Sequence, residues 1–174
     1  MSFRTIKYDG KINFTSFSCT EQVLNDYLHL RAIDEHENKF CVLYFLLDSN
    51  DEVVGFYVLN NGSISRDEQL PTAKARRNLK YNSLGTVHIG RLARHKDKVG
   101  LKIGQHLMYS ALTTAIEASN ISAAWAITVD AKKSDVEKYY QSFGFVPLKQ
   151  IPDSPEYPKP MYMKTTDAQV IVQN

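Results

Sequence analysis

From Thr86 to Val129 the chain reads as a strand, a glycine-bearing turn, a long amphipathic helix and a second strand, an order that few folds can accommodate. The first strand is Thr86 to Ala93, and the turn is Val99-Gly100-Leu101-Lys102-Ile103-Gly104. From about Leu101 to Ser119, Gly104, Leu107, Met108, Ala111, Leu112, Ala115 and Ile116 recur at helical spacing and make one wide apolar stripe, which must lie on a sheet. Ala123 to Val129 is short, mostly apolar and bounded by polar residues, as a strand covered on both faces would be. Strand, helix and strand then form a right-handed crossover between parallel neighbours. The turn also has chemical meaning. Backbone N–H groups at a helix start, together with the positive end of the helix dipole, converge on one point and cradle phosphate. Lys96, Lys98 and Lys102 crowd this end, where the dipole disfavours each cation by about 0.3–1 kcal/mol. A docked anion would reverse that sign, whereas a solvated lysine-rich loop would look the same in sequence.

The remaining elements surround this crossover. Ser18-x-x-Glu21 has the form of a capping box and predicts a helix to about Glu35, with Val23, Leu24, Tyr27 and Leu28 facing inward. Phe40 to Asp48 and Val53 to Asn60 flank Ser49-Asn50-Asp51-Glu52 and read as a hairpin, so the sheet begins antiparallel. Gly62 to Ser83 is polar and contains Pro71; its Lys74, Arg76, Arg77 and Lys80 form a loop or short helix with a basic face. A second box, Ser134-x-x-Glu137, predicts a short helix that groups Val136, Tyr139, Tyr140 and Phe143 and ends at Gly144. Phe145 to Leu148 and Met161 to Lys164 close the sheet, and Thr165 to Asn174 reads as a loosely held tail. The expected fold class is α/β (α+β): one domain over residues 1–174, with a single mixed, mostly antiparallel sheet, a central parallel strand pair and helices on both faces.

Composition narrows the function classes. A chain of 174 residues can bury about 70% of the surface its unfolded form exposes, so neither metal nor disulfide staples are needed. Cys19 and Cys41 have no zinc or disulfide spacing, and no His, Cys or carboxylate cluster has metal-ligand geometry, so no metal is expected. Met1 to Gly10 has no apolar signal core, and Phe40 to Leu47 is far short of the ~20 residues that span a bilayer. A soluble, cytoplasmic protein with no membrane partner is expected. The net charge of +2 is too small to demand a nucleic-acid partner by itself.

The order of elements resembles the GNAT superfamily of acetyl-CoA-dependent N-acetyltransferases over nearly the whole chain. The family turn, Gln/Arg-x-x-Gly-x-Gly/Ala, aligns without gaps onto Val99 to Gly104; Gly104 matches, Val99 stands in place of Gln or Arg, and Lys102 in place of the first glycine. Gly90-Arg91-Leu92-Ala93 is similar to the "GRLA" strand, and Lys138 to Phe145 to the "FYxxFGF" end, of the GNAT branch that holds the aminoacyl-tRNA-acetylating toxins of toxin–antitoxin pairs. Phe17-Ser18-Cys19, the helix with Leu24, Tyr27 and Leu28, and Val129-Asp130-Ala131-Lys132 resemble that branch as well.

The resemblance implies acetyl-CoA as cofactor, held by Leu92, Ala93, Arg94, Lys98, Val99, Gly100, Leu101, Lys102, Ile103, Gly104 and Ala131. In GNAT enzymes the strand corresponding to Gly90–Arg94 splays from the one corresponding to Ala123–Val129, so N–H groups near Leu92 can hold the pantetheine and polarise the thioester carbonyl. Tyr140 takes the position of the family tyrosine. A phenol of pKa about 10 is protonated at neutral pH and can serve the departing thiolate as general acid; without the resemblance, it reads as a core tyrosine. His88, His95 and Asp130 are candidate bases, although the amine of an aminoacyl ester is weakly basic enough to need no strong one. Lys74, Arg76, Arg77, Lys80, Arg91 and Arg94 are the candidates for contacting the phosphates of an aminoacyl-tRNA acceptor. An antitoxin protein is the implied partner, and homodimers are common in the family. Two other readings remain open: an acetyltransferase for a small amine or a protein or peptide amine, and a degenerate acyl-CoA-binding or interaction module without turnover.

Overall fold

The computed structural model describes residues 3–98 and 100–173. In chain order the elements are β1 (Arg4–Lys7), α1 (Gln22–Leu30), α2 (Ala32–Glu37), β2 (Val42–Leu47), β3 (Val53–Ser65), α3 (Arg66–Gln69), α4 (Ala73–Arg76), β4 (Ser83–Arg94), α5 (Ile103–Ile121), β5 (Ala126–Ala131), α6 (Ser134–Ser142), β6 (Val146–Pro147), β7 (Lys159–Lys164) and α7 (Thr165–Gln173). The strands form one mixed sheet in the order β1-β2-β3-β4-β5-β7-β6. Its central pair, β4 and β5, is parallel, while β1–β2, β2–β3, β5–β7 and β6–β7 are antiparallel. This is the fold class the sequence implies. By compactness the chain divides into two units, Met1–Asn60 with Ile89–Ala111 and Asn61–His88 with Leu112–Asn174.

The first unit is built on aromatic packing. Phe14 stacks on Phe45 at 5.1 Å between centroids, and Phe17 meets Phe56 edge-on at 5.4 Å. The expected single helix to Glu35 is instead two, because the backbone leaves helical geometry at Arg31 (φ −132°). Its capping box does not form either. The Asn25 side chain bonds the N–H and carbonyl of Cys19 (2.8 and 3.0 Å), and the Ser18 carbonyl accepts from the Lys96 N–H at 2.9 Å. Tyr27 and Leu28 face inward as expected, but Val23 is 77% exposed. Side chains on a helix lean toward its N-terminus, so one at the second helical position overshoots the core. The β2–β3 hairpin closes through Asp48, whose carboxylate accepts from the N–H groups of Asn50 (2.9 Å) and Glu52 (3.1 Å). Opposite the start of α5, a Cβ on Gly55 would stand 3.0 Å from Leu107 Cδ1 and 3.1 Å from the Ala93 carbonyl oxygen. Only a glycine lets the buried Leu107 come this close to β3 and β4.

In the second unit, β3 continues to Ser65, farther than expected, and the polar stretch after it makes two single helical turns. The Ser65 and Thr72 hydroxyls cap those turns, accepting from the N–H groups of Glu68 and Ala75. Between the turns Leu70 is fully buried and joins Ile64, Leu84, Leu148 and Tyr162 in a core. β5 begins at Ala126 rather than Ala123, where its ladder with β4 begins at the Thr86–Ala126 pair. At α6 the second capping box also fails: Ser134 is itself the first helical residue and the cap position, Lys133, makes no side-chain cap bond. The end of α6 is as expected. Gly144 takes φ +95°, its N–H bonds the Gln141 carbonyl and the Phe145 N–H bonds the Tyr140 carbonyl, which is a Schellman motif.

The expected loose tail is a docked helix. In α7, Thr165 and Ala168 are buried, and the Thr165 N–H and hydroxyl donate to the carbonyls of Trp125 (3.0 Å) and Ala124 (2.8 Å). Its buried residues are small or polar, so no apolar stripe marks it in the sequence.

Candidate active site

The turn before α5 is shaped by left-handed backbone. Gly100 has φ +84° with open space around its missing side chain, and Lys102 has φ +53°. A side chain in that region costs about 1–2 kcal/mol, so Lys102 adopts the conformation for which the family turn keeps a glycine. The Lys102 carbonyl accepts the His106 N–H at 3.1 Å, which closes the first turn of α5. The positive end of the dipole of this 19-residue helix stands at the turn. Lys102 and Leu101 are exposed, Gly104 is partly buried, and Ile103 is buried under the turn. Val99 lies outside the described residues.

The approach to this turn is anchored at both ends. At its start, the His95 N–H bonds the Val54 carbonyl at 2.8 Å. At its end, the Lys98 ammonium reaches Glu52 Oε2 at 2.7 Å and Asp48 Oδ2 at 3.3 Å. Two carboxylates therefore balance the Lys98 charge, and its side chain clamps the loop to the β2–β3 turn rather than waiting for an anion. Burial by itself raises the Asp48 pKa. The Asn50 and Glu52 amides and Lys98 outweigh it and hold the group below its ordinary value. Nothing within the sequence near Lys98 signals partners some fifty residues earlier.

The β4–β5 ladder covers Thr86–Ala126, Val87–Ile127 and His88–Thr128, while β4 continues as strand to Arg94 and β5 to Ala131. Leu92 is partly buried, Ala93 buried and Arg94 exposed on that continuation. Arg91 is held over the Tyr27 ring, its guanidinium carbon 4.7 Å from the centroid, and the Tyr27 hydroxyl donates to Glu35 at 2.9 Å. Two of the candidate bases are engaged. His95 Nδ1 accepts the Asp97 N–H at 3.2 Å, so the partners assign the proton to Nε2, which donates to the Ser16 carbonyl at 3.3 Å. His88 Nδ1 lies 3.0 Å from the Thr128 hydroxyl.

In the second unit, Tyr140 is 7% exposed, packed against Tyr139 and Phe145, and its hydroxyl has no hydrogen-bond partner among the described residues. Burial, helped by the nearby Asp130 carboxylate, pushes its pKa up to about 12. Ala131, at the end of β5, is buried. In the basic stretch, Lys74, Arg77 and Lys80 are exposed, while Arg76 turns inward and donates to the Leu70 carbonyl at 2.7 Å. Among the described residues no group of three His, Cys, Asp or Glu side chains could hold a metal ion.

The sequence matches the Acetyltransferase (GNAT) family over residues 11–145, a span that includes parts of both units. This chain belongs to that family. The acetyltransferase is 31% identical to a tRNA-acetylating toxin of Mycobacterium tuberculosis (strain ATCC 25618 / H37Rv) over 133 residues, 75% of this chain and 76% of the relative. It shares its fold with AtaT complexed with acetyl-methionyl-tRNAfMet (TM-score 0.83, 23% identity, 98% of this chain and 99% of that one). It also shares it with an AtaT mutant toxin bound to the C-terminus of the antitoxin AtaR and acetyl-CoA (TM-score 0.77, 21% identity, 100% of both chains). No described helix of this acetyltransferase is long and apolar enough to cross a membrane.

Proposed function

We propose that this acetyltransferase, acting as one domain over residues 1–174, moves the acetyl group of acetyl-CoA to the α-amino group of aminoacyl-tRNA. It does so in the cytoplasm, as the toxin of a toxin–antitoxin pair. The observation that carries the acceptor assignment is the 31% identity to a tRNA-acetylating toxin across three quarters of both chains. The fold shared with AtaT in complex with acetyl-methionyl-tRNAfMet supports it.

The residues fit the donor. The coenzyme diphosphate docks at the turn leading into α5, against the positive end of the helix dipole, with the left-handed Lys102 turning its side chain outward, where its ammonium adds to the attraction. The pantetheine runs along Gly90–Arg94, the part of β4 beyond the β5 ladder, and an N–H near Leu92 polarises the thioester carbonyl. The amine nitrogen attacks the carbonyl carbon and the C–N bond forms. The C–S bond breaks, and the thiolate takes the phenolic proton of Tyr140, which is replenished from solvent. The proton lost by the nitrogen passes to water, since the amine of an aminoacyl ester is weakly basic and needs no strong base; His88 and His95 are engaged elsewhere. Of the candidates for tRNA phosphates, Lys74, Arg77, Lys80 and Arg94 are exposed; Arg76 and Arg91 act through the loop and the Tyr27 ring that hold them.

The test is a competition. The full chain is given acetyl-CoA with charged tRNA, deacylated tRNA, and a panel of small amines and peptides, and coenzyme A release is measured. Release that depends on charged tRNA is expected; release with small amines or peptides alone would replace the acceptor, and none with any would leave a binding module.

A further inference from the structure

Glu137 stands one helical turn before Tyr140 on α6, and its carboxylate ties that helix to the opening of β7. Its Oε2 accepts from the Tyr157 hydroxyl at 2.8 Å and from the Lys159 ammonium at 2.8 Å, while Oε1 accepts from the Gln141 amide at 3.2 Å. The two charged side chains are only 13% and 19% exposed, so solvent screens them little. Lys159 begins β7 directly opposite Ala131, and the next pair joins Pro160 to Asp130. The Lys159 ammonium also lies 5.1 Å from the centre of the Tyr157 ring. The cluster thus links the helix that carries Tyr140 to the strand end that carries Asp130.

Two of its members are held in their usual forms around neutral pH. Lys159, and then Tyr157, hold the Glu137 carboxyl below its ordinary pKa, and the bond to Glu137 pushes the Tyr157 phenol up to about 12. A helix of nine residues can roll about its axis without losing its own hydrogen bonds. The Schellman motif fixes where α6 stops, but no backbone bond within the helix fixes its rotation.

We propose that Glu137 is a positioning residue which, through Lys159 and Tyr157, sets the rotation of α6 and so the direction of the Tyr140 hydroxyl. The consequence for turnover rests on the role proposed above for Tyr140; the positional claim does not. It also accounts for why the Glu137 carboxylate does not reach back to the helix start, since Lys159, Tyr157 and Gln141 hold it.

The test uses the full chain with 3-fluorotyrosine at position 140, read by 19F NMR, alongside steady-state kinetics with acetyl-CoA and aminoacyl-tRNA. Glu137→Gln is expected to shift and broaden the resonance at 140. It is also expected to lower kcat about tenfold, with KM for acetyl-CoA changed by less than about twofold, since misplacing a reacting group by a fraction of an ångström acts on the rate. In a Tyr140→Phe background the same substitution is expected to cause no further fall. An unmoved resonance in folded Glu137→Gln, or a kcat loss that adds in full to that of Tyr140→Phe, would overturn the proposal. Full turnover by Tyr140→Phe alone would remove the acid assignment, and the resonance would still decide the tether. Should Glu137→Gln not fold, Tyr157→Phe removes one hydrogen bond of the cluster and gives the same two readings.

Discussion

At the scale of single residues, Lys102 joins backbone strain to ligand chemistry. Its φ of +53° is a conformation that glycine adopts freely. Lys102→Gly is therefore expected to raise stability by about 0.5–1 kcal/mol, the relief of strain less the added entropy of the unfolded chain, as read from the denaturation midpoint. Lys102→Glu should weaken acetyl-CoA binding well beyond Lys102→Ala in calorimetry; equal affinity for wild type and the Glu variant would remove the outward ammonium from the site. Tyr140 yields a pH prediction. Its acid form is the neutral phenol, and a pKa pushed up to about 12 keeps that form present through the alkaline range. The expected kcat profile rises as the amine loses its proton and shows no fall up to about pH 10, where an unshifted phenol would already be half ionised; an alkaline limb near pH 9 would contradict it. A motif singles out Tyr140 in the sequence, and the structure buries it against Tyr139 and Phe145, whereas the engagement of Lys98 was not legible. Run together in the sequence, Lys96, Lys98 and Lys102 look alike, and only the fold brings Asp48 and Glu52 to one of them.

At the scale of elements, long periodic segments were readable and local end signals were less so. The α5 stripe, the β2–β3 hairpin and the glycine at the end of α6 each rest on a pattern with one physical solution. Both capping boxes failed because the helices begin elsewhere than the boxes imply: α1 starts at Gln22 with Glu21 at the cap position, and α6 starts at Ser134 itself, where the Glu137 carboxylate is held by Lys159. α7 was unreadable because Thr165 and Ala168, which it buries, carry no apolar signal. Truncation after Lys164 is accordingly expected to cost stability, about 2 kcal/mol or more for the two bonds lost at Ala124 and Trp125 and the surface uncovered. A melting curve unchanged by the truncation would restore the loose tail.

At the scale of the whole molecule, a net charge of +2 is too weak to recruit a polyanion, so any tRNA binding must come from where the charges lie. Lys74, Arg77 and Lys80 are exposed, and their joint replacement by glutamine should flatten the dependence of log KM for aminoacyl-tRNA on log salt by about 2–3 units, leaving KM for acetyl-CoA unchanged. An unaltered slope would move the tRNA surface elsewhere. The most direct measurement is the mass of the aminoacyl-adenosine that nuclease releases from charged tRNA after incubation with the full chain and acetyl-CoA. Wild type should give an aminoacyl-adenosine heavier by one acetyl group on its α-amino nitrogen, and Tyr140→Phe far less of it. An aminoacyl terminus of unchanged mass, under conditions where acetyl-CoA is bound, would contradict aminoacyl-tRNA as the acceptor.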